Sequence, residues 1–488
     1  MYYRLTDRYK LRGWQRATSI LIDRTSNVTE ELSAEEFCFL LICDGETAFD
    51  ESSMTAQESG LIKKYIGEGV IEALTDPKPL DESQIYQLYP NRFVDSVFWS
   101  ITGKCNYKCR HCYLDAPEAF MGEMTHEEAL TLIDQMEECG VLSVDLSGGE
   151  PLVRPDFWSL VDRLLDKEIG IGVLYTNGWL LDRKLLEGFL ARGIRPDISI
   201  SFDGAGHHDW MRGVKGAEEA ALRAFKLCQE HGFKTDAEMC LHRGNRNSIR
   251  DTIRLLKEYD VTALKLAPVT GTELWKMHAE GNELPLRDYF NAAIEYIPHF
   301  YEDGMPMDVT LSAVACLYAG STDYEVVPDT YPDGGDNGNC LLCAAARLNT
   351  YIAPDGRVLP CMPMAAYAEQ SRFPKVQEIG LRSALSDSGY MKFVDCRVRD
   401  LIRVNRECAD CKYLARCGGG CRANALSIYE IEGRPEGAIE EKDMTASERA
   451  AQYDARLMGR DPYQCILFKE GYVDRIYRVA DEAIAKYC

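Results

Sequence analysis

The sequence predicts an α/β fold in which six strand–helix units form a partial (β/α)6 barrel. Apolar strand-length stretches alternate with helix patterns through residues 91–310, cysteine-rich spacings fill residues 311–488, and shorter strand and helix patterns occupy residues 1–90. A closed barrel needs eight units, so six predict a parallel sheet that curls without closing. The predicted barrel strands are residues 96–102, 141–146, 170–176, 198–202, 234–241 and 263–267.

Length and composition limit the possible partners. The chain has 488 residues, of which 46% are hydrophobic, and this allows two or three domains with apolar cores. Because the formal net charge is −23, we do not expect a nucleic-acid backbone as a partner. The longest purely apolar stretch, residues 37–43, is too short to cross a membrane. Nineteen cysteines without a signal peptide predict a cytoplasmic protein whose thiols bind metal.

The first 90 residues predict a small winged-helix-like module that ends in a linker. Ser33, with Glu36 three residues later, forms a capping box in front of a helix. The sixteen acids here outnumber the nine bases, which argues against DNA binding. The module either binds a peptide or serves only as a structural cap on the barrel. The other predicted elements are strands at residues 17–23 and 28–32, a helix at 60–66, a wing strand at 69–74 and a linker at 76–89.

Three closely spaced cysteines follow the first predicted barrel strand. Cys105, Cys109 and Cys112 have the spacing CxxxCxxC. Three thiolates on one tight loop can bind three irons of a 4Fe–4S cluster and leave the fourth iron open, whereas an ordinary ferredoxin site supplies four. An open iron can bind a small molecule through an amine and a carboxylate. A partial zinc site or a pair of redox-active thiols is the alternative.

This loop resembles that of the radical SAM superfamily, whose enzymes bind S-adenosylmethionine at a CxxxCxφC loop and cleave it to a 5′-deoxyadenosyl radical. His111 stands where the family usually has an aromatic residue. The resemblance extends to the glycine-rich turn that follows the second strand. In the family, this turn holds the methionine amine of the cofactor. The ends of the third and fourth strands also resemble those of the family. The cofactor-binding residues implied in this way are Gly148, Gly149, Glu150, Pro151, Asn177 and Ser201.

Charged residues alternate along the fifth predicted strand. Asp236, Glu238 and Cys240 share one face of this strand, and Lys265 lies on the sixth strand. If that face lines the lumen of the barrel, these side chains contact substrate or cofactor. Burial of the charges against the helices would be costly.

Cysteines recur at fixed spacings in the last third of the chain. Cys408, Cys411, Cys417 and Cys421 follow the pattern Cx2Cx5Cx3C. A Cx12Gx4C pattern formed by Cys343, Gly356 and Cys361 precedes them. Cys465 follows them, four residues after Asp461. A zinc-ribbon fold is the alternative, because CxxC pairs with further cysteines also fit closed tetrahedral zinc sites.

These spacings resemble the SPASM extension of radical SAM peptide and protein maturases, which carries two auxiliary 4Fe–4S clusters. Together with the first loop, the resemblance implies three clusters in this chain. It assigns the second auxiliary cluster to Cys408, Cys411, Cys417 and Cys465. It assigns the first auxiliary cluster to Cys343, Cys361 and Cys421, with Cys340 as the fourth ligand and Cys316 or Cys396 as alternatives to it. In some relatives, one iron of this cluster stays open to a substrate thiolate.

The combined resemblance implies a maturase that takes a hydrogen from a ribosomally synthesised precursor peptide and joins a cysteine sulfur to a carbon as a thioether. Carbon–carbon crosslinking of side chains and anaerobic sulfatase maturation by formylglycine formation are alternatives within the class. A leader-peptide binding protein or electron carrier that never cleaves the cofactor is the alternative outside it. The expected partners are a precursor peptide, whose leader adds a strand to the N-terminal module, and a flavodoxin or ferredoxin-type reductant.

Overall fold

The computed structural model describes residues 1–15, 17–26, 28–50, 52–114, 116, 121–343, 345–433 and 444–488. The strands form one large central sheet and two smaller sheets. They are β1 (Tyr2–Leu5), β2 (Tyr9–Gln15), β3 (Ile20–Asp23), β4 (Thr29–Glu31), β5 (Asp44–Ala48), β6 (Ile71–Leu74), β7 (Gln87–Arg92), β8 (Ser96–Ser100), β9 (Ser143–Ser147), β10 (Gly170–Thr176), β11 (Asp197–Ser201), β12 (Thr235–Leu241), β13 (Ala263–Pro268), β14 (Asp308–Leu311), β15 (Ala315–Leu317), β16 (Tyr324–Val326), β17 (Asn349–Ile352) and β18 (Val358–Leu359).

Strands β8 to β14 are parallel neighbours in chain order and form the curled centre of the large sheet. Parallel neighbours need crossover connections, and helices supply them here. Each of the six predicted barrel strands is found within two residues of its predicted ends, so the predicted partial barrel is confirmed. The helices of this part are α3 (His126–Glu138), α4 (Phe157–Asp166), α5 (Arg183–Ala191), α6 (His208–Arg212), α7 (Ala217–His231), α8 (Ile249–Lys257), α9 (Glu273–His278) and α10 (Leu286–Glu302).

The C-terminal third adds to the same sheet, which the strand pattern of the sequence does not reveal. Strand β17 lies beside β8 and is parallel to it, and β18 turns back antiparallel to β17. This hairpin fills the interval between Cys343 and Cys361. At the opposite end, β14 extends the parallel series, and β15 and β16 follow it antiparallel. One apolar core continues from the barrel into the C-terminal region and includes Trp99, Tyr351 and Leu426.

The C-terminal region is otherwise made of short helices. Residues 462–487 form two helices instead of one, because Gly471 adopts a left-handed backbone (φ 78°) between them. The helices of this region are α11 (Ala345–Leu348), α12 (Val376–Ile379), α13 (Leu381–Ser386), α14 (Ser388–Val394), α15 (Val398–Val404), α16 (Arg406–Ala409), α17 (Leu414–Cys417), α18 (Arg422–Leu426), α19 (Ile428–Glu432), α20 (Ala446–Leu457), α21 (Pro462–Lys469) and α22 (Tyr472–Tyr487), with short 3-10 helices at Met362–Ala366 and Ala368–Arg372.

The N-terminal region contains two small sheets and two helices, α1 (Ala34–Leu41) and α2 (Ala56–Gly67). Helix α1 begins with the predicted capping box of Ser33 and Glu36. The strand orders are β4-β3-β2-β7 and β5-β1-β6. Strands β3, β4 and β6 lie where the sequence predicts them, but β1, β2 and β5 were missed. The predicted linker contains the start of β7, which pairs with β2.

Trp14 joins the N-terminal region to the barrel. Its indole is buried, and its Nε1 donates a hydrogen bond to the Cys139 carbonyl at 3.2 Å, just after helix α3. The ring packs against Tyr89 and Phe93 at centroid distances of 5.4 and 4.8 Å. An aromatic anchor of this size fixes the position of the small sheets on the barrel.

The described residues include no helix that is both long enough and apolar enough to cross a lipid bilayer.

We expect Trp14→Ala to loosen the N-terminal region from the barrel. The substitution removes a buried indole and its hydrogen bond, and such losses cost about 3–5 kcal/mol. Hydrogen exchange measured by mass spectrometry should show faster exchange in β2 and at the end of α3. Trp14→Phe keeps most of the apolar contact and should show a smaller effect. Wild-type exchange in Trp14→Ala would contradict the assigned anchor.

Candidate active site

The three cysteines of the first loop lie together beyond the carboxyl end of β8. Burial raises the pKa of Cys105 to about 12, and repulsion from the neighbouring sulfurs of Cys109 and Cys112 adds to the shift. Sulfurs close enough to repel one another as thiolates have the arrangement that a shared cluster requires. A bound metal would offset this repulsion, because thiolates are its ligands.

Helix α6 holds the cysteine loop through main-chain hydrogen bonds. The Lys108 amide donates to the Arg212 carbonyl at 3.3 Å, and the Arg110 amide donates to the Met211 carbonyl at 2.9 Å. Both carbonyls come from the last residues of the helix, where carbonyls have no partner within the helix. The loop therefore uses the end of α6 as a fixed support.

Hydrogen-bond donors and a cation surround the sulfurs. The Tyr107 amide donates to Cys105 Sγ at 3.3 Å, and Asn177 Nδ2 lies 3.9 Å from the same sulfur. Arg212 Nη1 lies 4.0 Å from Cys109 Sγ. Hydrogen-bond donors and a permanent positive charge stabilise thiolates. They also tune the reduction potential of a cluster that the thiolates bind. These residues thus fit an anionic iron–sulfur cluster.

The glycine-rich turn after β9 packs directly on the start of the cysteine loop. The Gly149 amide donates to the Thr102 carbonyl at 2.8 Å, and the Glu150 amide donates to the Lys104 carbonyl at 2.9 Å. A Cβ atom on Gly149 would lie 2.3 Å from the Lys104 carbonyl oxygen, and one on Gly148 would lie 2.6 Å from the Thr102 oxygen. Only glycine permits this approach.

Glu150 connects this turn to the end of β10. Its carboxylate accepts hydrogen bonds from the Asn177 amide at 2.8 Å and from the Thr176 hydroxyl at 2.9 Å. Burial raises the pKa of Glu150 to about 7. Asn177 in turn donates from Nδ2 to Asn106 Oδ1 at 2.8 Å, so the side chain is held against the cysteine loop. Pro151 begins a short 3-10 helix that ends the turn.

Asp203 and Arg212 form a buried ion pair beneath the cysteine loop, which the sequence analysis missed. Asp203 Oδ2 lies 2.7 Å from Arg212 Nε, and Asp203 Oδ1 accepts the Cys240 amide at 3.1 Å. Burial would raise the pKa of Asp203, but attraction to Arg212 and contact with His208 hold it well below its usual value. The only sequence signal is an aspartate at the end of the fourth strand with an arginine nine residues later.

A cavity of about 280 Å³ lies at the carboxyl ends of the barrel strands. Its wall includes the cysteine loop, the glycine-rich turn and Ser201, as the resemblance implies, together with Glu238, Cys240 and Lys265. Lys265 Nζ and Glu238 Oε1 are 2.7 Å apart. The charged face of the fifth strand therefore faces the lumen. Deeper on that face, the Ser199 hydroxyl donates to Asp236, whose pKa burial raises to about 6.

Cys343, Cys361 and Cys421 form a group at the edge of this cavity. Burial raises the pKa of Cys361 well above its usual value, and the charges of Cys421 and Cys343 add to the shift. Met362 and Pro363, which follow Cys361 directly, line the cavity. The group therefore lies next to the space between the cysteine loop and the C-terminal region.

The other three candidates for this group have different neighbours. The thiol of Cys340 lies against the hydroxyl of Tyr331. Cys316 on β15 contacts the side chain of Thr310 on β14. Cys396 Sγ lies 3.7 Å from Met458 Sδ.

A second cysteine group lies farther from the cavity. Cys408, Cys411, Cys417 and Cys465 line one small pocket. Helix α16 carries Cys408, and Cys411 lies between α16 and α17. Helix α17 carries Cys417, and α21 carries Cys465. Burial and then repulsion from Cys465 raise the pKa of Cys408 to about 11, although the positive charge of Arg422 acts in the opposite direction.

Asp461 lies between the two cysteine groups and connects them. Its Oδ2 accepts a hydrogen bond from the Cys421 amide at 2.7 Å, and its Oδ1 accepts the Tyr463 amide at 2.8 Å. The same carboxylate thus caps helix α21, which carries Cys465, and fixes a cysteine of the other group. Gly418, Gly419 and Gly420 have positive φ and reverse the chain, so that Cys417 and Cys421 point to different groups.

In the described part of the chain, no three His, Cys, Asp or Glu side chains lie close enough together to hold a single metal ion. A cubane differs from a single ion because each of its thiolates binds a separate iron.

Comparisons with known proteins agree with this geometry. Residues 99–256 match the family described as the radical SAM superfamily, and residues 343–412 match SPASM, described as an iron-sulfur cluster-binding domain. Fe-coproporphyrin III synthase of Methanosarcina barkeri is 36% identical over 352 residues, which cover 68% of this chain and 84% of that protein. PqqA peptide cyclase of Granulibacter bethesdensis is 27% identical over 332 residues, which cover 67% and 82%.

Solved structures show the same fold. SuiB of Streptococcus suis bound to the precursor peptide SuiA superimposes with a TM-score of 0.61 at 16% identity, and the match covers 87% of this chain and 97% of that chain. At this identity the likeness shows the fold alone.

We expect Gly149→Ala to disrupt the cysteine loop, because its Cβ would overlap the Lys104 carbonyl. The reconstituted variant should lose about four iron atoms per chain, the content of one cubane. It should also lose binding of S-adenosylmethionine, measured by equilibrium dialysis. Gly60→Ala in α2 is the matched control, since its Cβ meets nothing within 4 Å. Wild-type iron and cofactor binding in Gly149→Ala would be evidence against the packing described.

Proposed function

Because the chain belongs to the radical SAM superfamily, we propose that this radical SAM enzyme is a maturase that installs thioether crosslinks in a ribosomally synthesised precursor peptide. The observation that carries the proposal is the position of Cys361. Its neighbours Met362 and Pro363 line the cavity that Cys105 and Cys112 also line. A peptide in this cavity reaches both the cysteine loop and the first auxiliary group.

The proposed cofactors are S-adenosylmethionine and three 4Fe–4S clusters. When bound, they supply one-electron cleavage of S-adenosylmethionine and, through it, removal of a hydrogen atom from the peptide. The chain offers three cysteine groups for them. These are Cys105, Cys109 and Cys112; Cys343, Cys361 and Cys421; and Cys408, Cys411, Cys417 and Cys465.

The protein's own residues bind and orient the reactants. We assign S-adenosylmethionine to the turn Gly148–Pro151 and to Asn177 and Ser201, since the first three residues of the turn, Asn177 and Ser201 all line the cavity. Arg212 provides a fixed positive charge beside Cys109. The Glu238–Lys265 pair offers a charged donor and acceptor to the peptide, and Met362 and Pro363 add apolar surface to the wall of the cavity.

A substrate thiol has a place beside the first auxiliary group. Cys343, Cys361 and Cys421 supply three thiolates, while Cys340 contacts Tyr331. A cysteine of the peptide could then occupy the fourth position. That arrangement would hold the sulfur next to the cavity where the carbon partner loses its hydrogen, and it favours thioether formation.

We expect Cys340→Ala to retain about twelve iron atoms per chain after reconstitution, because three clusters need no ligand from this residue. The Tyr331 contact supports this expectation. Cys361→Ala is the matched control and should lose about four iron atoms, the content of one cubane. Equal losses in the two variants would make Cys340 the fourth ligand instead. Iron is measured by atomic emission against protein concentration.

Strand β4 is the proposed attachment site for the leader of the peptide. All three of its residues are exposed, and β4 forms the edge of its sheet, with β3 as its paired neighbour. Helix α2 borders the edge, since Lys64 Nζ lies 3.5 Å from Glu30 Oε1 and 2.9 Å from Glu36 Oε1. An extended leader can add to this edge through main-chain hydrogen bonds. SuiB, which has the same fold, is described as bound to its precursor peptide.

The proposal includes a reducing environment and a protein reductant. None of the nineteen cysteines, all of which the structure describes, forms a disulfide. Free thiols and iron–sulfur clusters persist in the cytoplasm, where we place the enzyme. A flavodoxin or ferredoxin-type protein is the proposed electron donor.

Iron-coproporphyrin chemistry is the second candidate function. It is favoured by the 36% identity to a protein named Fe-coproporphyrin III synthase. The exposed edge of β4 favours a peptide substrate instead. The two candidates differ in substrate, so that one assay separates them.

The decisive experiment is co-expression with the peptide encoded beside the gene, followed by mass spectrometry. We expect loss of two hydrogens per crosslink and cysteines that no longer react with iodoacetamide. The same loss with reactive cysteines would indicate a carbon–carbon link, and conversion of a cysteine to an aldehyde would indicate formylglycine. An unmodified peptide together with turnover of an iron-porphyrin precursor would refute the peptide proposal. Cys105→Ala should abolish every modification.

A further inference from the structure

One buried cation of the C-terminal region has a charge that the proposed function does not use. Arg422 begins helix α18, and only 1% of its surface is exposed. In the part of the chain that the structure describes, no carboxylate forms an ion pair with it. A buried charge without a counter-charge is costly, so that anions in its surroundings would stabilise it.

Four main-chain carbonyls hold the guanidinium of Arg422 in place. Nη1 donates to the Leu457 carbonyl at 2.9 Å and to the Gly459 carbonyl at 2.8 Å. Nη2 donates to the Gly419 carbonyl, and Nε donates to the Gly420 carbonyl at 3.4 Å. These carbonyls satisfy the donors but carry no net charge. The guanidinium is therefore a fixed and uncompensated positive charge.

This charge lies between the two auxiliary cysteine groups. Cys421 of the first group directly precedes Arg422 in the chain. On the other side, Gly419, whose carbonyl the guanidinium binds, donates its amide to Cys417 Sγ of the second group at 3.4 Å. Burial raises the pKa of Cys408, also of the second group, and attraction to Arg422 opposes that shift. One cation thus acts on both groups.

The cations beside Cys465 differ from Arg422 in two respects. Arg460 and Lys469 both pair with Glu407, at 3.1 and 2.9 Å. Their side chains are also partly exposed, so that solvent screens their charges. The charge of Arg422 is neither paired nor exposed, and it acts at longer range for that reason.

Asp461 is the buried acid of the same region. Its oxygens accept the amides of Cys421 and Tyr463 at 2.7 and 2.8 Å. Burial raises the pKa of Asp461, and attraction to Arg422 acts in the opposite direction. Because the two side chains are farther apart than an ion pair, Asp461 offsets the charge of Arg422 only in part.

We propose that Arg422 is a positioning residue shared by the two auxiliary groups, and that its fixed charge raises the reduction potential of the site on each side of it. The inference rests on the proposed function, because both groups must hold 4Fe–4S clusters. An added electron makes a thiolate-bound cluster more negative, so a buried cation favours the reduced form. When a carbon radical joins a thiolate as a thioether, one electron is released. Raised potentials favour its acceptance by the auxiliary sites.

The test is a redox titration followed by electron paramagnetic resonance. It uses full-length reconstituted protein in which Cys105, Cys109 and Cys112 are replaced by alanine, so that only the auxiliary sites contribute. In this background we expect Arg422→Gln to lower both midpoint potentials. The reduction equilibrium should shift about tenfold, which equals about 59 mV for a one-electron couple. The shift should be the same at low and high salt, because the charge is buried.

Two matched variants separate charge from structure. Arg422→Lys keeps the charge but loses most of the donors to the carbonyls, and its potentials should stay closer to the wild-type values. Arg382→Gln removes an exposed arginine of α13 that donates to the Glu138 carbonyl at 3.4 Å, and it should shift neither potential. If Arg422→Gln binds fewer than about eight iron atoms, citrulline in place of Arg422 keeps the planar donors, removes the charge and should give the same shift.

Unchanged potentials in a charge-free variant with full iron content would overturn the inference. A shift in only one of the two potentials would overturn the shared role, and equal shifts in the lysine and glutamine variants would assign the effect to the carbonyl contacts instead. The titration needs neither S-adenosylmethionine nor peptide. An unmodified precursor peptide would therefore refute the proposed function while the shift in potentials still supported the role of Arg422.

Discussion

Main-chain hydrogen bonds hold the cysteine loop between the Gly149–Glu150 turn and the end of helix α6, and the whole site depends on this constraint. The turn follows β9 directly, and α6 follows β11 after six residues, so both supports come from connections at the carboxyl ends of parallel strands. The three sulfurs lie close enough together for Cys109 and Cys112 to add to the raised pKa of Cys105, of which burial is the main cause. Arg212 both supplies one of the supporting carbonyls and places positive charge beside Cys109.

The same sheet positions the auxiliary cysteines. Strand β17 pairs with β8, and the hairpin it forms with β18 brings Cys361 to the edge of the barrel cavity. Asp461 then links Cys421 to the helix that carries Cys465. The order from the inside outward is the cysteine loop, the cavity, the first auxiliary group and the second. This order matches a route for electrons between the surface and the substrate.

Patterns within short stretches of sequence predict much of this arrangement. Apolar strand stretches identify β8 to β13, and cysteine spacings identify the residues of all three groups. Contacts between residues that are far apart in the sequence are harder to predict from it. The Asp203–Arg212 pair and the contact of Cys340 with Tyr331 depend on how elements pack, and no local pattern encodes them. Strand β2 was missed because Lys10 and Arg12 interrupt its apolar pattern, although Arg12 is buried through hydrogen bonds to carbonyls.

We propose that the three-cysteine loop and the two auxiliary groups each hold a separate cubane. The iron content of anaerobically reconstituted protein distinguishes three cubanes from fewer. We expect about twelve iron atoms per chain in the wild type and about eight when Cys105, Cys109 and Cys112 are all replaced by alanine. About four iron atoms in the wild type, or zinc in place of iron, would contradict three cubanes.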